Sequence, residues 1–364
     1  MKNHTNRNEI FSPDFQSYNT IRSEKLSEKS RKRDIEARNN KFRSFPSKLK
    51  KKKINHIKQN FLARQFMTEC YLTSPHYINS DYLIIPRPSG KRCMILVHDG
   101  ITTSFDKNGN LMKSYSPGIL FSNSNSRGGI ILLDCIYSEN QDTYYALDLL
   151  CWKMEEFYEY PAESRFYFLQ CYLSQCEISG LSIKTINIFE GNLEGLRNAY
   201  FWKFDYEKDG LIFYNKNSSY VLGINHDIMI WKDANCSLYA LNNISEEIEI
   251  ILFVKYTGEL LTLDGFVLGS VDIEKYQLHH GNLVKCKIEA INTDIEQPAV
   301  IGLEFMQKAS FRKGKADHWS KILYQYLSRN SPITFISIEE AFISNDHIDT
   351  PKTIYFGNYL YPTV

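Results

Sequence analysis

ILLDCIYSENQDTYYALDLLCW, residues 131–152, holds two runs rich in branched and aromatic residues around a polar centre. Extended two residues to GIILLDCIY at 129–137, the first run reads as a strand, and so does TYYALDLLCW at 143–152. Working outward, YLIIP at 82–86, CMILVHD at 93–99, TTSFD at 102–106 and GLIFYN at 210–215 read the same way. Asn108-Gly109 is a tight hairpin signal between TTSFD and LMKSYS. A helix is expected over 160–176, where PAESRFYFLQCYLSQC places Pro161 in the first turn with Glu163 behind it. The fold class is therefore α+β, a mixed and largely antiparallel β domain with a few helices.

A second β-rich unit follows. IEIILFVKY (248–256), LLTLDGFVLGS (260–270) and GNLVKCKIEAI (281–291) read as strands linked by Gly turns, with VIGLEFMQKASFR (300–312) and a helix near DHWSKILYQYLSRN (317–330) behind them. Short strands with a terminal helix suggest a small OB-like β domain. The expected division is a tail at 1–60, a first domain at 61–239, the second at 240–345 and a C-terminal tail at 346–364.

The 364 residues, 43% apolar and 14% aromatic, suffice for two buried cores. No apolar run approaches a membrane span, and the N-terminus is polar and basic, so a soluble protein of cytosol or nucleus is expected. Eight cysteines, none in a CxxC, read as reduced packing residues rather than a metal or disulfide framework. Neither metal nor cofactor is expected. The net charge of +1 conceals a division: residues 1–60 carry 17 Lys+Arg against 6 Asp+Glu, or +11, and the remainder carries −10. A basic tail precedes a mildly acidic body.

Within the tail, SEKLSEKSRKRDIEARNNKFR (23–43) runs on toward KLKKKK (48–53) with few large apolar residues. Leu26 to Arg43 has no helix breaker but too narrow an apolar stripe to fold alone, which suits a segment that is disordered or becomes helical on a partner. A solvated tail or a general nucleic-acid arm has the same composition.

GKRCMILVHDGITTSFDKNG (90–109), the 131–152 stretch, DGLIFYNKNSSYVLG (209–223) and IMIWKD (228–233), in this order behind a basic tail, resemble the snurportin family. Snurportins are adapters that carry trimethylguanosine-capped spliceosomal RNPs into the nucleus. The resemblance implies a cap-binding domain similar to mRNA guanylyltransferases, with capped snRNA or snRNP and importin-β as partners and shuttling between nucleus and cytoplasm; an export receptor is a further partner it leaves open. The tail looks like an importin-β-binding segment, with Arg31, Lys32 and Arg33 as its cluster and Arg38, Lys41 and Arg43 on the following helix.

The alternative is a nucleotidyltransferase of the RNA-capping or ligase class. Guanylyltransferases open on KxDGxR, whose Lys takes GMP; the counterpart here is Arg87-Pro88-Ser89-Gly90-Lys91-Arg92. An arginine stays protonated and is a poor nucleophile, and Lys91 is out of register, so no enzyme is expected. The DGE-like motif reads Asp134-Cys135-Ile136, without its carboxylate. Arg312-Lys313-Gly314-Lys315 would correspond to the RxDK element of the OB domain, or is a solvated turn.

By the resemblance, Trp231 stacks on the cationic cap base, where cation–π attraction adds to apolar contact, although IMIW would equally suit a core indole. Arg92 and Lys107 match the cations that face the triphosphate, against a reading of both as surface charge. Cys70 stands where the second cap-reading tryptophan of the family lies, with Thr68 and Tyr71 beside it. Loss of that indole predicts weaker discrimination of trimethyl from monomethyl caps. Tyr71 could replace it only if the strand is displaced by one residue.

Overall fold

The computed structural model describes residues 66–98, 100–116, 118–121, 130–153, 155–237, 247–292, 299–309, 315–345, 354–356 and 359–361. The tail expectations, including the helix at Leu26–Arg43 and all six importin-binding residues, lie outside the described residues, as do Arg312, Lys313 and Gly314.

The first unit opens with β1 (Met67–Tyr71), β2 (Tyr82–Pro88), β3 (Lys91–His98), β4 (Ile101–Asp106), β5 (Leu111–Tyr115) and β6 (Ile119–Phe121). Next come β7 (Ile131–Ser138), β8 (Thr143–Trp152), β9 (Glu155–Glu156), α1 (Ala162–Ser174), β10 (Cys176–Ile178), β11 (Ser182–Thr185) and β12 (Phe189–Glu190). It closes with α2 (Leu193–Phe201), β13 (Lys208–Asn215) and β14 (Gly223–Trp231). Two large sheets result, one in the order β1-β14-β13-β2-β12, the other β11-β8-β7-β3-β4-β5 with β9 on β8, while β10 and β6 pair as a separate two-stranded antiparallel ribbon. All pairings in them are antiparallel except β1 with β14 and β11 with β8. The decisive stretch is thus a hairpin whose strands β7 and β8 are buried throughout. Burial on both faces explains why they read as apolar runs rather than alternating ones.

The faces of the first sheet are separated by strand alternation. Leu83, Ile85, Ile212, Tyr214, Ile228 and Ile230 point inward and meet Met94, Leu96, Leu132 and Ile136 of the second sheet. Ile84, Leu211, Phe213, Met229 and Trp231 point outward, where Leu196 and Ala199 of α2 cover them. Each fully buried aliphatic chain in these layers contributes about 1.5–3 kcal/mol. Arg165 of α1 is also fully buried between the layers; it bonds both Asp148 oxygens at 2.8 and 2.9 Å and the Tyr214 hydroxyl at 2.7 Å.

The expected small β domain follows as an antiparallel sheet in the order β17-β16-β15-β18-β21, from β15 (Ile248–Val254), β16 (Glu259–Leu261), β17 (Val267–Ser270), β18 (Leu283–Ile288) and β21 (Glu304–Lys308). A side hairpin pairs β19 (Ala290–Asn292) with β20 (Ala299–Ile301), and β22 (Ile354–Phe356) pairs with β23 (Tyr359–Tyr361). One helix bridges the units and a second packs on the first unit. In α3 (Trp319–Asn330), Trp319 and Ile322 enter the second core while Tyr324 enters the outer layer of the first. Ile338 and Phe342 of α4 (Phe335–Asn345) are wholly in that outer layer. α3 thus contributes to both cores and α4 to the first.

Candidate functional site

Between the two sheets, at one end, the apolar layer gives way to three cations and three carboxylates. Glu69 comes from β1, Arg87 from β2, Arg92 from β3, Asp134 from β7, Asp209 from β13, and Lys232 follows β14. Arg92 bonds both Asp134 oxygens, at 2.7 and 2.6 Å, and also Glu69. Asp134 accepts a further bond from the Tyr220 hydroxyl at 2.5 Å. Asp209 accepts from Arg87 at 2.7 Å, from Lys232 at 2.5 Å and from the Ser237 hydroxyl at 2.6 Å. Asp134 is fully buried, and the other five side chains keep 10–15% of their surface, so the cluster opens at a narrow mouth.

Local sequence explains the placement of Asp209. Gly210 adopts φ +95°, and a Cβ there would lie 2.6 Å from the Trp231 carbonyl oxygen. The β13–β2 register shifts between Lys208 and Leu211, a bulge that only glycine accommodates without strain. The Asp-Gly opening of DGLIF thereby puts a carboxylate at the end of the strand instead of in its ladder.

Burial opposes ionisation of Glu69, but Arg92 and Arg87 beside it hold its carboxyl below the usual carboxylate range. Burial likewise opposes the Arg92 charge, and Asp134 and Glu69 more than offset it. For Lys232 the balance falls the other way: burial lowers its pKa despite the bond to Asp209. Every charge in the cluster is matched internally, so an entering ligand must exchange partners with it.

The site residues expected from sequence divide between two faces. Arg92 belongs to the cluster, and Lys107 lies on the exposed turn after β4; since Cys93 pairs with Asp106, both are at one end of the second sheet. Thr68, Cys70, Tyr71 and Trp231 share the β1–β14 ladder, Thr68 half-buried opposite Ile224. Two expectations are corrected. Trp231 is 0% exposed and points away from the cluster into the outer layer; its Nε1 donates to the Ile333 carbonyl at 2.9 Å, and the Tyr200 ring packs on it at 5.9 Å. Phe335 in turn stacks on Tyr200 at 4.3 Å, so the bridge between α3 and α4 closes this face against a ligand base. Cys70 is also 0% exposed on the outer side, with its Sγ 3.3 Å from His226 Nδ1, and forms no wall of the cluster. Tyr71 packs on Tyr324 at 4.9 Å and on His318 at 5.9 Å, and burial pushes its hydroxyl up to about 12.

Sequence reasoning took Asp209 and Lys232 only as parts of motifs that shape the guanosine pocket and Arg87 as the replaced nucleophile, and it gave Glu69 no role. Only Asp209 carried a local signal, a carboxylate beside glycine at the start of a strand run; Glu69 lies mid-strand, and neither it nor Arg87 nor Lys232 adjoins a glycine.

Residues 65–233 match the family model described as Snurportin1, m3G cap-binding domain. Among solved structures, the chain is similar to mycobacterial DNA ligase D complexed with ATP and MES (12% identity, 66% of this chain, 95% of that one, TM-score 0.34). It is also similar to Chlorella virus DNA ligase-adenylate (14% identity, 67% and 99% covered, TM-score 0.33) and to a Lig E DNA ligase (14% identity, 67% and 100%, TM-score 0.31).

Proposed function

Because residues 65–233 belong to the snurportin m3G cap-binding-domain family, we propose that this chain binds the trimethylguanosine cap of spliceosomal snRNAs and carries the capped RNP to importin-β. The family match over that segment carries the reading. The cap base bears a delocalised positive charge, which the carboxylates of Glu69 and Asp209 at the mouth would attract, and the triphosphate would draw on Arg87, Arg92 and Lys232. Lys107, Thr68 and Tyr71 remain candidates at the periphery. The +11 tail, with Arg31, Lys32, Arg33, Arg38, Lys41 and Arg43, is the proposed importin-β ligand, and the protein would move between nucleus and cytoplasm.

Titration calorimetry with trimethylated, monomethylated and unmethylated cap dinucleotides tests the reading. Binding that requires base methylation is expected, and equal affinity for all three, or none, would sink it. The enzyme alternative retains one observation: Lys232 is an amine made easier to deprotonate by burial, within reach of Asp209. Incubation with labelled GTP and magnesium followed by denaturing electrophoresis separates the two. No covalent label is expected, since Arg87 occupies the nucleophile position; a label lost in Lys232→Ala would establish the enzyme.

A further inference from the structure

Where α2 runs into β13, the sequence Phe201-Trp202-Lys203-Phe204 lines an open hollow of about 490 Å³ together with Lys208 and Asn235. Phe201 and Trp202 are 64% and 53% exposed, an unusual concentration of uncovered aromatic surface. Phe189 packs at right angles to the indole at 5.5 Å, which holds it in place while more than half of its surface stays exposed. Lys208 lies 5.4 Å from the Phe204 ring centre and is tied to the carbonyls of Ala199 and Tyr200 at the end of α2. Lys203 is exposed and has no ion pair among the described residues.

We infer that this hollow takes the single-stranded RNA that follows the cap, one base stacked on Trp202 and its phosphates beside Lys203 and Lys208. The inference rests on the cap-binding reading above. Charge decides which part of the ligand belongs here. Two lysines disfavour the cationic cap base but suit a neutral base with anionic phosphates, whereas the carboxylates lie at the intersheet mouth. The two places are continuous along the chain, because Lys208 immediately precedes Asp209, the residue that Arg87 and Lys232 bond. The hollow is also within the size range of small-ligand sites. The nearby Asp205 is engaged by Lys184 and does not oppose the phosphates from an unpaired position.

Trp202 reports its own occupancy, because the other three tryptophans, Trp152, Trp231 and Trp319, are at most 7% exposed. The experiment compares the full chain and Trp202→Ala with three probes: the trimethylguanosine cap dinucleotide, the same cap on a six-nucleotide RNA, and that RNA uncapped. The capped hexamer should bind tighter than the dinucleotide and shield Trp202 from acrylamide. Trp202→Ala should lose roughly five- to a hundred-and-fiftyfold for the capped hexamer, the range of one base stacked on an aromatic, and nothing for the dinucleotide. Lys203→Ala should lower the salt slope of hexamer binding by about 0.7, the value for one phosphate of a single strand. A hexamer that gains nothing over the dinucleotide, or a gain that survives in Trp202→Ala, overturns the assignment and leaves the aromatic patch as a protein contact. If the dinucleotide itself fails to bind, the cap reading falls instead. The uncapped hexamer then decides the hollow: Trp202-dependent binding sustains it, and absent or Trp202-independent binding removes it.

Discussion

Trp231 shows how the neighbourhood of a single residue reverses its reading. An indole next to Lys232 and Asp233 at a strand end has the composition of a base platform, yet the residue is enclosed by Tyr200, the Ile333 carbonyl and the aromatic layer under α4. Trp231→Ala should therefore act on stability, costing about 3–5 kcal/mol through the cavity it leaves. Denaturant unfolding measures that cost, and a cap titration below the unfolding transition should give the wild-type affinity. A stable variant that has lost cap binding would return the residue to the ligand site. Arg165 makes the complementary point. A fully buried guanidinium persists because Asp148, Tyr214 and backbone carbonyls take up its donors.

At the scale of elements, the parallel β1–β14 ladder and α3 enclose two histidines. Burial pulls His226 down to about 4, with the His318 ring adding to the effect. His318 is also lowered, by burial first, although Asp264, Asp317 and Glu69 oppose it; Lys321 acts with the burial. A histidine held neutral in the fold binds fewer protons than in the unfolded chain between its folded pKa and about 6.5. Stability is thus full above pH 6.5 and falls as pH drops toward 4, by roughly 3 kcal/mol from His226 alone. Unfolding midpoints at pH 7, 6 and 5 should decline for the native chain and decline less steeply for His226→Gln. Parallel slopes for the two proteins would show that another group carries the acid sensitivity.

Along the whole chain, charge is segregated. The tail holds +11 and the remainder −10, so the two should operate independently of one another. Removal of residues 1–60 is expected to abolish importin-β binding and nuclear accumulation in permeabilised cells while leaving cap affinity unchanged. Its importin affinity should weaken as ionic strength rises. Undiminished import of the truncated protein would place the import signal elsewhere. The C-terminal helices, in contrast, cannot be separated from the body in this way. Tyr324, Ile338 and Phe342 fill the outer layer of the first unit, so truncation before α3 would expose that layer.

Local patterns were enough to specify most of the elements: the runs at 82–86, 102–106 and 143–152 are strands, Asn108-Gly109 turns a hairpin, and the Pro161 helix spans Ala162–Ser174. These features depend on period, turn chemistry and capping, which act within a few residues. Motif order likewise led to the family whose model matches residues 65–233. Which face each side chain would serve was not a local matter. The bulge at Gly210, the ion pairs joining Glu69 to Arg92 and Arg87 to Asp209, and the return of α4 across Trp231 and Cys70 all join residues far apart in the chain. A one-residue change of register sends a side chain to the opposite side of a sheet, so the site of this protein was decided by how the strands stack.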